Sequence, residues 1–471
     1  MLIKNIIFFI STFPAFVFRS NFYVKEVAIP LILLLTLTYL NSKFLNFLDK
    51  KNSKKLNLIY MSIILTYGID NHLGLYNGII QPNSILLLKY FTVIYWSAIF
   101  LIIGIILILY LILLNTSQDK INKIFLATLS VIFVFNLLDN AKNYQNIPAY
   151  EQKTKEKFER SKLVLILDEM SGMNSLSSQT TDGKEFNKII SNFFEKNNFV
   201  YYSNVFSNSE NSVNSISSLI NFEGKNISKR NMLTSKSKNY FNEYNMDKNE
   251  LFSRFSSISV IQNIHINYCN NKNINKCYQY NPFDLKLIDG EIDLLSKYIS
   301  IWNLNGSIFA KLTWRLLKQF GLIVSIVEPE GEKVFIKEIL KMLSNDINSK
   351  KYDLNFAHIL VPHRPYGFDV NCNYDVKLSN LNNFYSNEDH IKQHNLERKC
   401  VVRLLSKFLL DISDLDNLEI FILSDHGARI TNKENSSLSS IFAHKEFNSL
   451  LSRNVVKRVI LQEEFIKLID E

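Results

Sequence analysis

Glycine and proline are scarce, at 13 and 8 in 471 residues. Collagen-like and low-complexity arrays need far more of both and are excluded. Hydrophobic residues make up 47% and charged residues 21%. The chain therefore has enough apolar surface to offset the entropy of ordering, which excludes disorder as its general state. No self-similar period of solenoid length occurs. No Cys-x-x-Cys occurs either, which argues against a zinc cluster built on the four cysteines. Acidic excess is missing, since 53 Lys and Arg face 44 Asp and Glu, net +9. That excess is uneven: residues 1–150 hold 12 Lys/Arg against 5 Asp/Glu, and the rest is close to balance. Basic charge gathered in the apolar part suits membrane orientation. A nucleic-acid partner, which wants a basic face on a folded domain, is not expected.

Residues 90–118 contain no charge at all. A bilayer needs about 20 apolar residues per helix, so this stretch predicts a transmembrane span. Residues 27–42, 56–76 and 124–138 are further spans, with Asp70 and His72 near the end of the second. Residues 5–18 are apolar and short; they are a first span or a signal peptide lacking an obvious small-residue cleavage site. Lys43, Lys50, Lys51, Lys54 and Lys55 crowd the 43–55 loop, and Lys120 and Lys123 the 116–123 loop, while 77–88 has no charge. The positive-inside rule puts the two basic loops in the cytoplasm. Everything after about 140 then lies outside, whether the spans number four or five. All four cysteines fall in that outer portion. An even number there reads as two disulfides in an oxidising compartment, and loop entropy favours the local pairs Cys269–Cys277 and Cys372–Cys400.

From about 160 onward, short apolar runs alternate with longer mixed stretches, the βαβ signature of a doubly wound sheet. Several runs end in polar residues of a particular kind. Leu163–Leu167 leads into Asp168-Glu169. Phe356–Val361 leads into Pro362-His363-Arg364-Pro365-Tyr366. Ile420–Leu423 leads into Ser424-Asp425-His426-Gly427. Phe199–Phe206 leads into a Ser-rich segment ending near Ile220. Ligands of open parallel sheets bind beyond the carboxyl ends of the strands, where these groups would converge. Asp, Glu and His together form a mixed O/N set that suits Zn²⁺ or Mn²⁺. A bound cation there would polarise a phosphoryl oxygen and favour a hydroxyl as its alkoxide. Taken singly, each motif also has a plainer reading: Asp-Glu as a helix start, the Ser cluster as a turn and cap, the His as a surface residue in a rigid turn.

In this order along one chain, the motifs resemble the alkaline phosphatase/sulfatase superfamily. They are most similar to its membrane-anchored branch of phosphoethanolamine transferases and lipoteichoic acid synthases. The resemblance implies an α/β protein with N-terminal transmembrane helices in 1–145. An extracytoplasmic, alkaline-phosphatase-like α/β/α sandwich with a mostly parallel sheet follows in 155–471. It places Glu169 at the branch's first metal ligand, with Asp168 beside it as the ligand used by sulfatase-like relatives. It places Asp425 and His426 on the metal-binding Asp-His pair. Asn204-Val205-Phe206-Ser207 and Ser212-Val213-Asn214-Ser215 match the nucleophile segment, where relatives use Thr; Ser212 takes that place, with Ser209 and Ser215 as rivals. His363 falls where relatives hold the substrate phosphate or a second metal, and His358 is a second candidate for that task. Arg429 is placed to pair with a phosphate.

One departure separates branches. Formylglycine sulfatases need Cys or Ser in a Cys/Ser-x-Pro-x-Arg sequence, and this chain has none. The expectation is a metal-dependent enzyme carrying about one or two divalent cations per chain. It would transfer a phosphoalkyl group, such as phosphoethanolamine, from a membrane lipid to an envelope glycan or lipid through Ser212. The location would be a bacterial inner membrane, multi-pass. The alternatives are a phosphatase, phosphodiesterase or sulfatase-like hydrolase, and a non-catalytic ectodomain that binds glycans or a partner. Residues 222–250 read as a loose or substrate-shaping loop, and 280–350 as helices without a legible motif.

Overall fold

A computed structural model describes residues 2–13, 24–50, 53–73, 75, 91–115, 120, 123–124, 126–131, 150–151, 157–223, 234–236, 244–263, 265–279, 298–299, 302, 307–320, 322–323, 330–375, 378–379, 386–430 and 436–469. The chain opens with α1 (Leu2–Thr12), α2 (Val24–Lys50), α3 (Lys54–Leu73) and α4 (Phe91–Asn115). Next come β1 (Tyr150–Glu151), β2 (Ser161–Leu167), α5 (Thr181–Lys196), β3 (Val200–Tyr202), α6 (Ser212–Ile220), β4 (Ile258–Gln262) and β5 (Ile274–Gln279). They are followed by α7 (Ile308–Gln319), α8 (Ile336–Ser349), β6 (Leu354–Ile359), α9 (Asn387–Leu410), β7 (Leu418–Leu423), β8 (Phe442–Lys445), β9 (Arg453–Val455) and α10 (Leu461–Ile469).

The chain divides into two compact units. One comprises Met1–Asn146 with Pro282–Val324, and the other Ile147–Asn281 with Ser325–Glu471. In the second unit nine of the described strands form one sheet in the order β1-β5-β4-β6-β2-β7-β8-β3-β9. The five strands from β5 to β7 in that order run parallel. β8 is antiparallel to both neighbours, and β1 is antiparallel to β5. Central parallel strands are covered on both faces, which is why Leu163–Leu167, Phe356–Ile359 and Ile420–Leu423 read as unbroken apolar runs. Val164, Ile166, Phe356, Phe421 and Leu423 form one core with Ile216 and Leu219 of α6 and Leu461 and Phe465 of α10. Leu163, Leu165 and Leu167 point the other way by strand alternation and are equally buried. On the helical side, α8 packs on β6 and α9, and α9 on α5. The fold is a mixed α/β sandwich with a mostly parallel sheet.

A charged cluster pins the register where β2, β7 and β8 lie side by side. Glu419 sits opposite Lys162 in the β7–β2 ladder. Its carboxylate takes Lys162 Nζ at 2.9 Å and His444 Nε2, from β8, at 2.8 Å. A one-residue slip would send these groups to the opposite face of the sheet. Two disulfides, Cys269–Cys277 and Cys372–Cys400, tie the loop after β4 to β5 and the loop after β6 to α9.

In the first unit α1 packs on α3, α3 on α4, and α2 on both α1 and α3. Ile7, Leu58, Met61, Leu65, Leu109 and Leu113 form its core. The predicted spans 5–18, 27–42, 56–76 and 90–118 overlap α1 to α4. Of 124–138, residues 124 and 126–131 are helical and 132–138 lie outside the described residues. Among the described residues, Leu31–Leu48 is long and apolar enough to cross a membrane, and Leu2–Thr12 and Ile99–Asn115 are shorter apolar stretches. The segment 282–324, which the sequence reading leaves in the second domain, groups with the first unit. The cause is visible at α7. Asp70 of α3 accepts from Ser307 Oγ at 2.7 Å, Ile308 N at 2.9 Å and Phe309 N at 3.0 Å. It thereby caps the positive end of α7. Asn71 accepts from Trp302 Nε1 at 3.1 Å, and His72 Nε2 donates to the Ile10 carbonyl at 2.8 Å.

Two outcomes follow for stability. Burial pushes the Glu419 carboxyl upward, but His444 and Lys162 outweigh it and hold it below its ordinary value. A carboxyl depressed on folding stabilises the fold above its unfolded pKa, and that contribution is lost as pH falls below about 4.3. Chemical denaturation as a function of pH should therefore show a shallower acid limb for Glu419→Gln than for the parent. The Cys372–Cys400 bridge closes a separation of 28 residues. Reducing it should cost about 3–4 kcal/mol by loop entropy, read as a lower denaturation midpoint with a somewhat steeper slope, because the freed denatured chain exposes more surface.

Candidate metal and nucleophile site

The site forms because three adjacent parallel strands end together. β2 lies between β6 and β7, with His358 opposite Ile166 and Leu423 opposite the same residue. The chain leaving β2 presents Asp168, the chain leaving β7 presents Asp425 and His426, and β6 presents His358. All four are almost wholly buried, at 0–1% exposed. Asp168, Asp425 and His426 each offer an atom within 4.8 Å of the other two. Ser212 arrives from the far side as the first residue of α6. Its helix is capped by Asn211, whose side chain accepts from Val213 N at 2.9 Å. Ser212 Oγ lies 3.2 Å from His426 Nε2 and 3.4 Å from Asp168 Oδ2.

The ring tautomers are set by their outer partners. His426 Nδ1 lies 2.8 Å from the Gly427 carbonyl, so it carries the proton and turns Nε2 toward Ser212 and Asp168. His358 Nδ1 faces the Asn263 amide at 3.2 Å and the Tyr268 hydroxyl at 2.9 Å, both able to donate. That leaves the His358 proton on Nε2, 3.4 Å from Asp168 Oδ2 and too poorly aligned for a full hydrogen bond.

Two carboxylates this close and this buried drive their acidities apart. Burial pushes Asp168 upward, but His358, His363 and His426 more than reverse this and hold it well below the usual carboxylate range. Asp425 is pushed up by burial and by the charge of Asp168. Burial opposes protonation of His426, yet Asp425, Asp168 and Glu169 together raise it. Asp168 Oδ1 and Asp425 Oδ2 are buried without a hydrogen-bond partner. Orphaned buried carboxylate oxygens beside an imidazole nitrogen are the donor set a divalent cation satisfies. The residues therefore fit the metal that the sequence implies.

The structure divides the Asp168-Glu169 pair. Glu169 has φ 59°, in the left-handed region unusual for a side chain with a Cβ. Its backbone stays at the site, its N–H lying 3.3 Å from Asp425 Oδ1. Its carboxylate turns away to Arg429, which donates to Oε1 from Nε at 3.1 Å and from a terminal nitrogen at 2.7 Å. Glu169 is thus outside the three-residue group, and Arg429 is paired with it. His363 lies at the same place, 3.9 Å from Glu169 Oε1 and 28% exposed. The rivals of Ser212 point elsewhere. Ser215 Oγ donates to the Asp425 carbonyl at 2.6 Å, and Ser209 Oγ accepts from Asn211 N at 3.2 Å.

Sequence reading missed the clamp behind the Pro-His-x-Pro-Tyr loop. Lys333 is fully buried, and its ammonium donates to the carbonyls of His363 and Pro365 and to Glu397. Glu397 also accepts from Gly367 N at 2.8 Å. His394, one turn before, lies with Nε2 3.3 Å from the Glu169 carbonyl. Burial and the Arg398 charge keep its ring neutral. His390, His394, Glu397 and Arg398 share one face of α9 at helical spacing. That pattern reads as a solvated stripe until the partners that bury it are known. Gly427 is required by its neighbours: a Cβ there would stand 2.5 Å from the Ser439 carbonyl oxygen.

No family model and no curated protein matches the chain. Among solved structures it is similar to lipooligosaccharide phosphoethanolamine transferase A, an integral membrane protein from Neisseria meningitidis. That match has 13% identity, covers 94% of this chain and 88% of that one, and has a TM-score of 0.35. A second is the zinc complex of the C-terminal periplasmic domain of EcEptC from Escherichia coli, at 12% identity, 69% and 85% coverage and TM-score 0.37. A third is a protein of the alkaline phosphatase superfamily from Vibrio parahaemolyticus, at 12% identity, 68% of each chain and TM-score 0.36. At such TM-scores the likeness carries no weight beside the side-chain geometry.

Asp425→Asn removes one of two repelling carboxylates while keeping an oxygen for the His426 and Glu169 N–H groups. The metal-stripped variant should melt no lower than the stripped parent. Zn²⁺ at roughly 100 times its Kd should stabilise the parent by about 3 kcal/mol and the variant not at all. An equal rise in melting temperature for both would remove Asp425 from the ligand set.

Proposed function

We propose that this chain is a membrane-anchored phosphotransfer enzyme. It moves a phosphoalkyl group, such as phosphoethanolamine, from a lipid to an envelope glycan or lipid. The observation that carries this reading is the Ser212 hydroxyl, held at a helix start between His426 Nε2 and Asp168 Oδ2 beside two orphaned carboxylate oxygens. Asp168, Asp425 and His426 would hold a divalent cation, with Zn²⁺ and Mn²⁺ the fitting choices. When bound, such an ion supplies charge stabilisation for the phosphoryl oxygens and lowers the pKa of a nearby hydroxyl.

The chain's own groups account for the rest. Ser212 Oγ attacks the phosphorus of a phosphodiester; with the His426 Nε2 and Asp168 lone pairs committed to the cation, its proton would leave to water, favoured by the lowered hydroxyl pKa. An Oγ–P bond forms as the bond from phosphorus to the lipid oxygen breaks. His363, partly exposed beside the site, protonates that leaving oxygen. The first turn of α6 offers its positive end to the phosphoseryl group. An acceptor hydroxyl then attacks the same phosphorus and regenerates Ser212. Arg429 can take a phosphate oxygen once it lets go of Glu169.

A multi-pass anchor in a bacterial inner membrane, with the α/β unit outside, fits this chemistry. Ile32, Leu35, Leu107 and Ile108 stand 55–63% exposed on α2 and α4. Apolar rows of this kind are costly in water and suited to lipid. The basic loops assign the orientation.

The test is single-turnover cleavage of a phosphatidylethanolamine analogue by the full chain in detergent, with and without a lipid or glycan acceptor. Ser212→Ala should lower the rate by about 10³-fold or more, and the parent should accumulate phosphoalkyl at Ser212 in mass spectra. Label found on the acceptor supports transfer; label released only to water makes the enzyme a hydrolase. Equal rates for parent and Ser212→Ala, with no adduct, would leave a binding ectodomain as the reading.

A further inference from the structure

His358 borders the site, is 1% exposed and takes no part in the proposed bond-making. Its ring is fixed by groups that are themselves fixed. Asn263, buried just after β4, presents its side-chain oxygen to two backbone donors, His265 N at 2.9 Å and Ile266 N at 3.4 Å. That orients the amide, so its NH₂ group is what faces His358 Nδ1 at 3.2 Å. Tyr268 brings its hydroxyl to the same nitrogen at 2.9 Å. Burial, then the charges of Asp425 and Asp168, push that phenol well above its ordinary value, so it stays protonated and donates. The Tyr268 backbone is held as well. Its N–H donates to Gln262 Oε1 at 2.7 Å, and the next residue is tied to β5 by the Cys269–Cys277 disulfide.

Donors on one ring nitrogen leave the proton on the other. Among the described residues His358 Nε2 has no hydrogen-bond partner, and it lies 3.4 Å from Asp168 Oδ2. A buried N–H carries a desolvation cost until it meets an acceptor, and this carboxylate is the one within reach. In the same carboxylate Oδ1 is orphaned, while Oδ2 also faces Ser212 Oγ. A ring that shows a carboxylate its N–H has no lone pair there to give a metal, but it can fix which way the carboxylate turns. We propose that His358 is a positioning residue. It holds Asp168 by Oδ2 and leaves Oδ1 for a divalent cation, with Asn263 and Tyr268 setting its tautomer. The resemblance offers His358 a substrate phosphate; its burial and its one neighbouring acceptor favour the carboxylate instead. This rests on the reading that Asp168, Asp425 and His426 hold a cation.

The experiment measures Zn²⁺ binding to the full chain in detergent, by competition with a chromophoric chelator. His358→Asn keeps an oxygen for Asn263 and Tyr268 but brings no donor to Asp168, and should raise the Kd about 10–100-fold. His358→Gln returns an N–H at the place of Nε2 and should bind within about threefold of the parent. Tyr268→Phe keeps His358 but loosens its tautomer, and should raise the Kd about 2–5-fold. In Co²⁺-loaded protein the visible bands of His358→Asn should shift, and those of His358→Gln should match the parent. A merely structural role would lower the melting temperature of the metal-stripped variants and leave affinity and spectrum unmoved. A parent-like Zn²⁺ Kd in His358→Asn, or in Tyr268→Phe where His358→Asn does not fold, overturns the inference and leaves the cation reading intact. Equal losses in His358→Asn and His358→Gln overturn the donor role. Unchanged Zn²⁺ affinity with weakened binding of inorganic phosphate in His358→Asn overturns it in favour of a phosphate contact. A parent that takes up no Zn²⁺, or is matched by Asp425→Asn, overturns the cation reading itself.

Discussion

Two carboxylates buried together at the ends of neighbouring parallel strands are the constraint around which the α/β unit is arranged. Asp168 and Asp425 cannot both be ionised there without help. The surrounding groups supply it in part: His426 and His358 face them, and the Glu169 and His426 N–H groups point at Asp425. What remains are orphaned oxygens that only a cation satisfies well. Stability and function pull against each other at this point, since a site comfortable when empty would bind metal poorly. The strands carry that strain because their own burial is complete and their register is pinned by the Lys162–Glu419–His444 cluster at the far end.

The residues that position the site are not those that form it. Lys333 and Glu397 contact neither Asp168 nor Ser212 in any described hydrogen bond. They hold the carbonyls and an N–H of the loop that carries His363 and Arg364. A buried ammonium–carboxylate pair adds little net stability once desolvation is counted. Its value here is geometric, because the Lys333 ammonium gathers carbonyls that would otherwise compete for water. The Glu169–Arg429 pair plays a comparable part at the mouth. It gives the buried Glu169 carboxylate a guanidinium partner.

The first unit shows how a polar residue in an apolar helix finds a use. Asp70, Asn71 and His72 look like defects in a membrane span. Each meets backbone or side-chain donors and acceptors from elsewhere in that unit. Asp70 in particular neutralises the positive end of α7, the segment that leaves the α/β unit and returns to it.

Much of this was legible in residue order alone. Unbroken apolar runs of five or six residues announce buried parallel strands, because such strands have no wet face. The polar residues that end them name the chemistry, because those ends lie on one edge of the sheet. An uncharged stretch of nearly thirty residues announces a helix suited to lipid, since any charge there would need a partner. The local cysteine pairs were legible from loop length. What residue order could not decide depended on direction. Asp168 and Glu169 are neighbours of like charge, and only the left-handed backbone at Glu169 sends one inward and the other to Arg429. Ser209, Ser212 and Ser215 are chemically equal, and only the start and pitch of α6 aim Ser212 at the carboxylates. The polar face of α9 resembles a wet surface until its partners are seen. The excursion of 282–324 has no local signature, because its reason lies in Asp70, more than two hundred residues earlier in the chain.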